Sequence, residues 1–270
     1  GPYQKRPGQD LLAQAMTGIL MLNGRACDPP VPIGLASVDL HAARLAAMGI
    51  LAALNAREET GEGMLVEGSL MGAALDLQRE PLTYYLNGFP LYERSETGIG
   101  SRFHQAPYGV YQTEDGYLCL SMIPLEKLAA IFQDDSFLSY SEEECFSKRE
   151  EINAKVAGHM RTKTSEVWIK RMETNGVWYS VVNEYEDVVR HPQVQWNQNI
   201  ETFEYPAAGN MRVLAHPIKY DGERPKMKRL PPGLGEHTAE ILRELGYTQE
   251  EIQAMLRAGI VKQGEEDPLC

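Results

Sequence analysis

Asp39-Leu40-His41-Ala42-Ala43-Arg44-Leu45-Ala46-Ala47-Met48-Gly49-Ile50-Leu51-Ala52-Ala53-Leu54-Asn55-Ala56-Arg57 is the stretch on which the reading of this chain turns. It is rich in Ala, Leu and Met, the residues with high helix propensity, and it stops before Thr60-Gly61-Glu62-Gly63. A well-buried helix is therefore expected, with an acid at its first turn. Asp39 has two readings at this level. Asp is a preferred N-cap, so the carboxylate could hold its own helix. A helix N-terminus also keeps a carboxylate ionised and hence nucleophilic. A side chain bonded to its own helix is less free to attack, so the two roles compete.

Upstream, Asp10 precedes the apolar pattern Leu11, Leu12, Ala15, Met16, Ile19 and Leu20, which closes near Gly24. That predicts a capped helix with one buried face. Downstream, Met64 to Glu67 reads as a short strand, and Ser69 as the cap of a third helix running through Leu75 and Leu82 towards Asn87-Gly88. Alternating helix and strand signals of this kind indicate an α/β layer. The segment 88–107 lacks apolar periodicity and reads as a connection near a site.

A second unit begins with Tyr108 to Thr113 and Tyr117 to Met122, two β-favouring runs that flank Glu114-Asp115-Gly116. Asp-Gly in that setting signals a hairpin. Leu125 to Phe132, Lys148 to Met160 and Ser165 to Glu173 read as amphipathic helices, followed by a β-like run from Val177 to Val182. The unit would close near His191-Pro192. Residues 200–220 read as short strands, Arg224 to Pro232 as a connector, and the remainder as two short helices.

Composition narrows the function classes. Of 270 residues, 43% are hydrophobic and 24% charged, the profile of a globular chain. Lys and Arg number 26 against 38 Asp and Glu, a formal charge of −12 that disfavours nucleic acid and anionic membrane as partners. Cys27, Cys119, Cys145 and Cys270 are far apart, suggesting neither a metal site nor a disulfide framework and favouring a reducing, cytoplasmic setting. No run of 18 apolar residues occurs, and Gly1 to Arg6 lacks the apolar core of a signal peptide. The chain also lacks an initiator Met.

Four ordered blocks resemble one family. Gly1-Pro2-Tyr3, Arg6-Pro7-Gly8-Gln9-Asp10 and Ala13-Gln14-Ala15 form the first. Asp39, ten positions before Gly49-Ile50-Leu51-Ala52-Ala53-Leu54, forms the second, continued by Arg57 and Thr60 to Gly63. Pro107-Tyr108 through Asp115-Gly116 is the third, and Gly233-Leu234-Gly235-Glu236-His237-Thr238 the fourth. Together they resemble the class III (CaiB/BaiF) coenzyme A transferases. The resemblance implies an α/β fold, part of a Rossmann-like large domain plus a small α+β domain, in an interlocked homodimer. Residues 1–104 would carry the catalytic aspartate and a linker, 105–195 the small domain, and 196–270 a return linker and a C-terminal large-domain segment. Members usually begin with a Rossmann-type half before the first block, and that half has no counterpart in this sequence.

By the same resemblance the chain is an enzyme that moves coenzyme A from an acyl-CoA to a carboxylic acid through a covalent intermediate on Asp39. Coenzyme A and acyl-CoA are substrates, with no permanently bound cofactor and no metal. Gly98-Ile99-Gly100-Ser101 resembles in position a glycine loop that covers the intermediate in some members, against the simpler reading of a surface connection. His104 could bind a carboxylate, although a loop histidine is more often solvated. Asp10 lies beside the active site in relatives, and helix capping explains it equally well. The related racemases place a histidine base where this chain has Gln9, and a glutamate where Leu125 aligns beside Glu126. Acid–base chemistry at an α-carbon is therefore disfavoured. The alternatives are that racemase chemistry, or a non-catalytic half acting with a separate partner chain.

Overall fold

The computed structural model describes residues 1–89, 93–96, 102–205, 209–227 and 229–264. The chain divides into two compact units, residues 1–182 and 183–270. The first begins with helix α1 (Asp10–Thr17), stopped by Gly18 at φ 85°, a left-handed position suited to glycine, and followed by one 3-10 turn (Ile19–Met21). The expected helix thus ends before Gly24. Gln9, not Asp10, is the N-cap residue of α1, and Gln9 makes no side-chain cap.

Helix α2 (Ser37–Thr60) spans the Asp39 stretch and stops at Gly61, again left-handed, as the glycine pair implies. Its burial differs from expectation. Only Val38 is buried, while Met48, Ile50 and Leu51 are 64, 52 and 66% exposed. High Ala and Leu content raises helix propensity but does not say how much of the helix finds a neighbour. Among the described residues, α2 is also the one helix long and apolar enough to cross a membrane by length and composition, with mean hydropathy 1.3. Met64 to Glu67 forms no strand, because among the described residues no neighbouring strand pairs with it; instead Val66 leans on Gly49, where its Cγ1 lies 3.0 Å from where a Cβ would stand.

Ser69 caps α3 (Leu70–Leu77) as expected, its hydroxyl accepting from the Gly72 N–H at 3.0 Å. The helix breaks at Gln78 and resumes as α4 (Arg79–Leu86). The Gln78 side chain explains the break point, donating to the carbonyls of Thr17 at 2.7 Å and Ala74 at 3.3 Å and so tying α3 to α1. Ala13, Ile19, Val38, Ala73 and Ala74 form the core shared by α1, α2 and α3. These are mostly small side chains, so the helices approach closely but bury little apolar area.

The hairpin appears as read: β1 (Tyr108–Gln112) pairs antiparallel with β2 (Tyr117–Ser121), and the Thr113 N–H donates to the Gly116 carbonyl across the turn. Then follow α5 (Leu125–Phe132), α6 (Glu144–Ser147), α7 (Arg149–Met160), α8 (Ser165–Asn175) and β3 (Trp178–Val181), with sheet order β1-β2-β3. This part has the larger core, around Trp168, Phe132, Phe137, Leu118, Leu128, Ile152 and Met172. Trp168 packs edge-on against Phe132 and donates from its indole N–H to the Met160 carbonyl at 2.8 Å. Trp178 and Trp196 are exposed.

His159 stacks on Phe132 and contacts Asp134 at 2.9 Å. Hydrogen bonds from the Ser136 hydroxyl and His159, then the Ser136 N–H, hold the Asp134 carboxyl well below its ordinary value of 3.8. A depressed carboxyl pKa means the unfolded chain binds the proton more readily, so this contribution is complete above 3.8 and fades as pH falls toward the folded value. Acid titration followed by near-UV circular dichroism is expected to show a loss of stability below pH 3.8 that Asp134→Asn reduces. An unchanged acid slope in the variant would assign that loss to other carboxylates.

The second unit contains α9 (Tyr185–Arg190), α10 (Pro192–Trp196), the antiparallel pair β4 (Ile200–Tyr205) and β5 (Gly209–Leu214), α11 (Thr238–Glu244) and α12 (Gln249–Arg257). Pro192 opens α10 at its first position, where a missing N–H costs nothing, with His191 as the cap. Thr248 and Glu251 form a capping box at α12.

Candidate active site

The start of α2 is where the first two sequence blocks meet. Ala36, its N-cap residue, has no side chain able to accept the free amides of the first turn. They are satisfied from elsewhere. The Ser37 N–H donates to the Leu35 carbonyl at 2.8 Å, while Val38 and Asp39 donate to Oδ2 of Asp10 at 2.7 and 3.0 Å. Asp10 is the first residue of α1, so one helix caps another. It is 6% exposed.

Oδ1 of Asp10 is also occupied, accepting from the Gln14 amide one turn along α1. The other end of that amide accepts from the Ile33 N–H at 3.1 Å, in the loop that leads into α2. Burial pushes the Asp10 carboxyl up, but the hydrogen bonds from the Asp39 N–H, the Gln14 side chain and the Val38 N–H outweigh it and hold the group below its ordinary value. Asp10 is thus a buried, ionised acceptor whose two oxygens serve protein donors.

Asp39 is consequently released from capping. It occupies the third position of α2, is exposed, and among the described residues its carboxylate has neither a hydrogen bond nor an ion pair. Two residues on, His41 contacts Asp76 of α3 at 2.8 Å, and Asp76 also binds Arg79. Hydrogen bonds from His41 and then Arg79 lower the Asp76 carboxyl. This pair fixes the rotation of α2 against α3.

The loop before α2 has a second anchor. The Arg94 guanidinium donates to the carbonyls of Asn23 at 2.8 Å, Asp28 at 2.5 Å, Pro29 at 3.3 Å and Ala26 at 3.5 Å. Nearby, Arg149 donates to the carbonyls of Arg102 and Glu93, and Ser95 to Glu150. Burial first, then the neighbouring Arg94 and Arg149, lower the Arg102 pKa against an opposing pull from Glu93. In an acidic chain this is a local concentration of buried cations.

Of the residues singled out by sequence, Asp10 and Asp39 are brought together. His104 is half-buried and stacks on Tyr108 at the head of β1, with ring centroids 4.0 Å apart. Gly98, Gly100 and Ser101 lie outside the described residues. Gln9 is exposed, and Leu125 is buried in the core beneath the hairpin. Glu126 lines a cleft of about 240 Å³ with Gln105, Met122, Glu142 and Cys145. Burial raises the Cys145 thiol, which makes it a poor nucleophile. No group of three or more metal-ligating side chains is found among the described residues.

Sequence reasoning did not assign Gln14, Arg94 or the His41–Asp76 pair. Gln14 stood inside the first block without a role, and the other contacts join residues 35 to 71 positions apart, for which local pattern carries no signal.

The chain is similar to known proteins over most of its length. The chain is 28% identical to the human succinyl-CoA:glutarate CoA-transferase over 98% of its length and 62% of that protein's. It is 29% identical to the succinyl-CoA:mesaconate CoA-transferase of Haloarcula hispanica over 90% of its length and 62% of that protein's. It therefore spans about three fifths of the curated relatives it matches. A crystal structure of a CaiB/BaiF family protein from Brucella suis shares the fold, with a TM-score of 0.73 at 24% identity over 91% of this chain and 65% of that one. Residues 1–238 match the model of CoA-transferase family III, so the chain, with its α/β fold, belongs to CoA-transferase family III.

Proposed function

We propose that this chain supplies the nucleophile of an enzyme that moves coenzyme A from an acyl-CoA to a free carboxylic acid, with Asp39 carrying the covalent intermediate. The observation that carries the reading is the division of labour at α2. Asp10 caps the helix, which leaves the Asp39 carboxylate exposed and, among the described residues, without an internal partner.

The chemistry balances without an external reagent. An Asp39 oxygen attacks the thioester carbon; the C–S bond breaks, leaving a mixed anhydride and coenzyme A thiolate. The thiolate attacks the aspartyl carbon and expels the donor as its carboxylate. The acceptor carboxylate then attacks the aspartyl thioester, releasing the thiolate again. Thiolate attack on the acceptor acyl carbon restores Asp39. The thiolate released in the first and third steps attacks in the second and fourth, and one carboxylate enters as another leaves, so there is no net proton or electron change.

The two relatives are named for glutarate and mesaconate, which makes dicarboxylic acids the first acceptors to test, with succinyl-CoA as donor. The buried arginines flanking the loop before α2 offer local positive charge for such anions within a chain of net charge −12. The exposed apolar side of α2 supports a further part of the reading. It is covered in the working enzyme by the Rossmann-type half that the resemblance implies, within a homodimer. Free Cys27, Cys119 and Cys145 fit a reducing, cytoplasmic setting.

The test is chemical trapping. The enzyme is incubated with succinyl-CoA and hydroxylamine, which converts an activated carboxylate to a hydroxamate, and the adduct is located by peptide mass spectrometry. A hydroxamate on Asp39 is expected. An adduct elsewhere, or none under conditions that support exchange, would remove Asp39 from this role.

A further inference from the structure

Asp10 is a buried anion that makes no use of its charge outside the protein. Both of its oxygens accept from internal donors: Oδ2 from the Val38 and Asp39 N–H groups and Oδ1 from the Gln14 amide. The Gln14 orientation is not free either. Its oxygen is required by the Ile33 N–H, so its nitrogen must face Asp10. One chain of hydrogen bonds thus runs from the loop residue Ile33, through Gln14 and Asp10, to the backbone of Asp39.

We infer that Asp10 is a positioning residue for transfer: it holds the backbone of residue 39 in place and, by capping α2 itself, keeps the Asp39 carboxylate free to attack. This rests on the reading of Asp39 as nucleophile. A carboxylate is suited to the role because one oxygen can accept two backbone N–H groups while the other accepts a side-chain amide. Hydrogen bonds to an ionised acceptor are roughly twice as strong as neutral ones.

The network makes a specific demand on substitutions. In Asp10→Asn the new amide nitrogen meets a donor whichever way it turns. Facing α2, it opposes the Val38 and Asp39 N–H groups. Facing Gln14, it forces that amide over and sets its nitrogen against the Ile33 N–H. In the double variant Asp10→Asn, Gln14→Glu the pattern is restored with the same net charge. The amide at position 10 is then able to accept from α2 and donate to one oxygen of the new carboxylate at position 14, whose other oxygen accepts from Ile33.

The experiment compares wild type, Asp10→Asn and the double variant in the catalytically competent protein, measuring kcat and KM for succinyl-CoA and the rate of hydroxamate formation on Asp39. Asp10→Asn is expected to lower kcat and trapping on the order of 100-fold, the scale of a misplaced reacting group, with KM little changed. The double variant is expected to recover most of that loss. Wild-type rates in Asp10→Asn would overturn the inference. So would a folded double variant that stays as slow as the single one, since Asp10 would then act by its own charge or by touching substrate. If Asp10→Asn does not fold, the double variant against wild type decides alone. Absence of a hydroxamate on Asp39 in the wild type removes the underlying reading, and that arm separates the two failures.

Discussion

Replacing Asp39 by Ala is expected to abolish coenzyme A exchange while leaving the fold intact, and the separation of these two effects is what the geometry of α2 predicts. Loss of a covalent nucleophile is the most severe change available to such a mechanism, on the order of 10⁴-fold or more in kcat. The structural cost is small, because Asp39 is exposed and its carboxylate has no partner among the described residues. What is lost is the favourable placement of an anion in the first turn, about 0.3–1 kcal/mol. Asp39→Asn keeps the shape and removes the charge, and should be as inactive as the Ala variant. Exchange with succinyl-CoA and glutarate, followed alongside thermal melting, reads both quantities. A variant that is folded and retains exchange would sink the proposal; one that is inactive because it has unfolded would mean that Asp39 is held by the fold after all.

How far the sequence carried this result depends on the range over which its signals act. The hairpin at Glu114-Asp115-Gly116, the Ser69 cap and the helices from Leu125 to Asn175 were legible, since turn chemistry, capping and apolar period are settled within a few residues. The strand expected at Met64 to Glu67 failed because a strand exists only if another pairs with it, and local propensity cannot supply one. The site was half legible. The block pattern led to Asp39 and Asp10 separately, and both raised the same ambiguity, cap or functional acid. Local preference could not resolve it, because each residue was considered as the cap of its own helix. The actual contact crosses 28 and 29 positions, from Asp10 to the amides of Val38 and Asp39. Arg94 was invisible for the same reason: its four carbonyl partners lie 65 to 71 residues earlier.

The burial of α2 was misjudged in an informative way. The expectation of a well-buried helix came from composition, and the composition remains unexplained by the fold of this chain alone. Met48, Ile50, Leu51 and Leu54 project from a helix whose own core contacts are mainly alanines, and Leu65 beside it is 83% exposed. An exposed apolar stretch of this extent on a folded protein marks an interaction surface. If it is covered in the working enzyme, each Leu or Met removed from water contributes about 1.5–3 kcal/mol, and a carboxylate put in its place would be buried without a partner. Met48→Glu and Leu51→Glu are therefore expected to have little effect on this chain by itself, within about 0.5 kcal/mol, since both positions face solvent and Glu is a good helix former. In the complete enzyme the same changes should weaken assembly, or the stability of the joined halves, by at least about 3 kcal/mol, a factor on the order of 100 in association. Sedimentation of each variant alone and with the completing polypeptide measures both. Unchanged assembly would show that the face stays open to water, and vesicle binding by the wild type that either charge abolishes would assign it to lipid instead. The first outcome requires that Asp39 work at the end of a solvated helix. The expected one places Asp39, whose backbone Asp10 holds, at the rim of a buried interface, shielded from bulk water on the side that α2 presents to its cover.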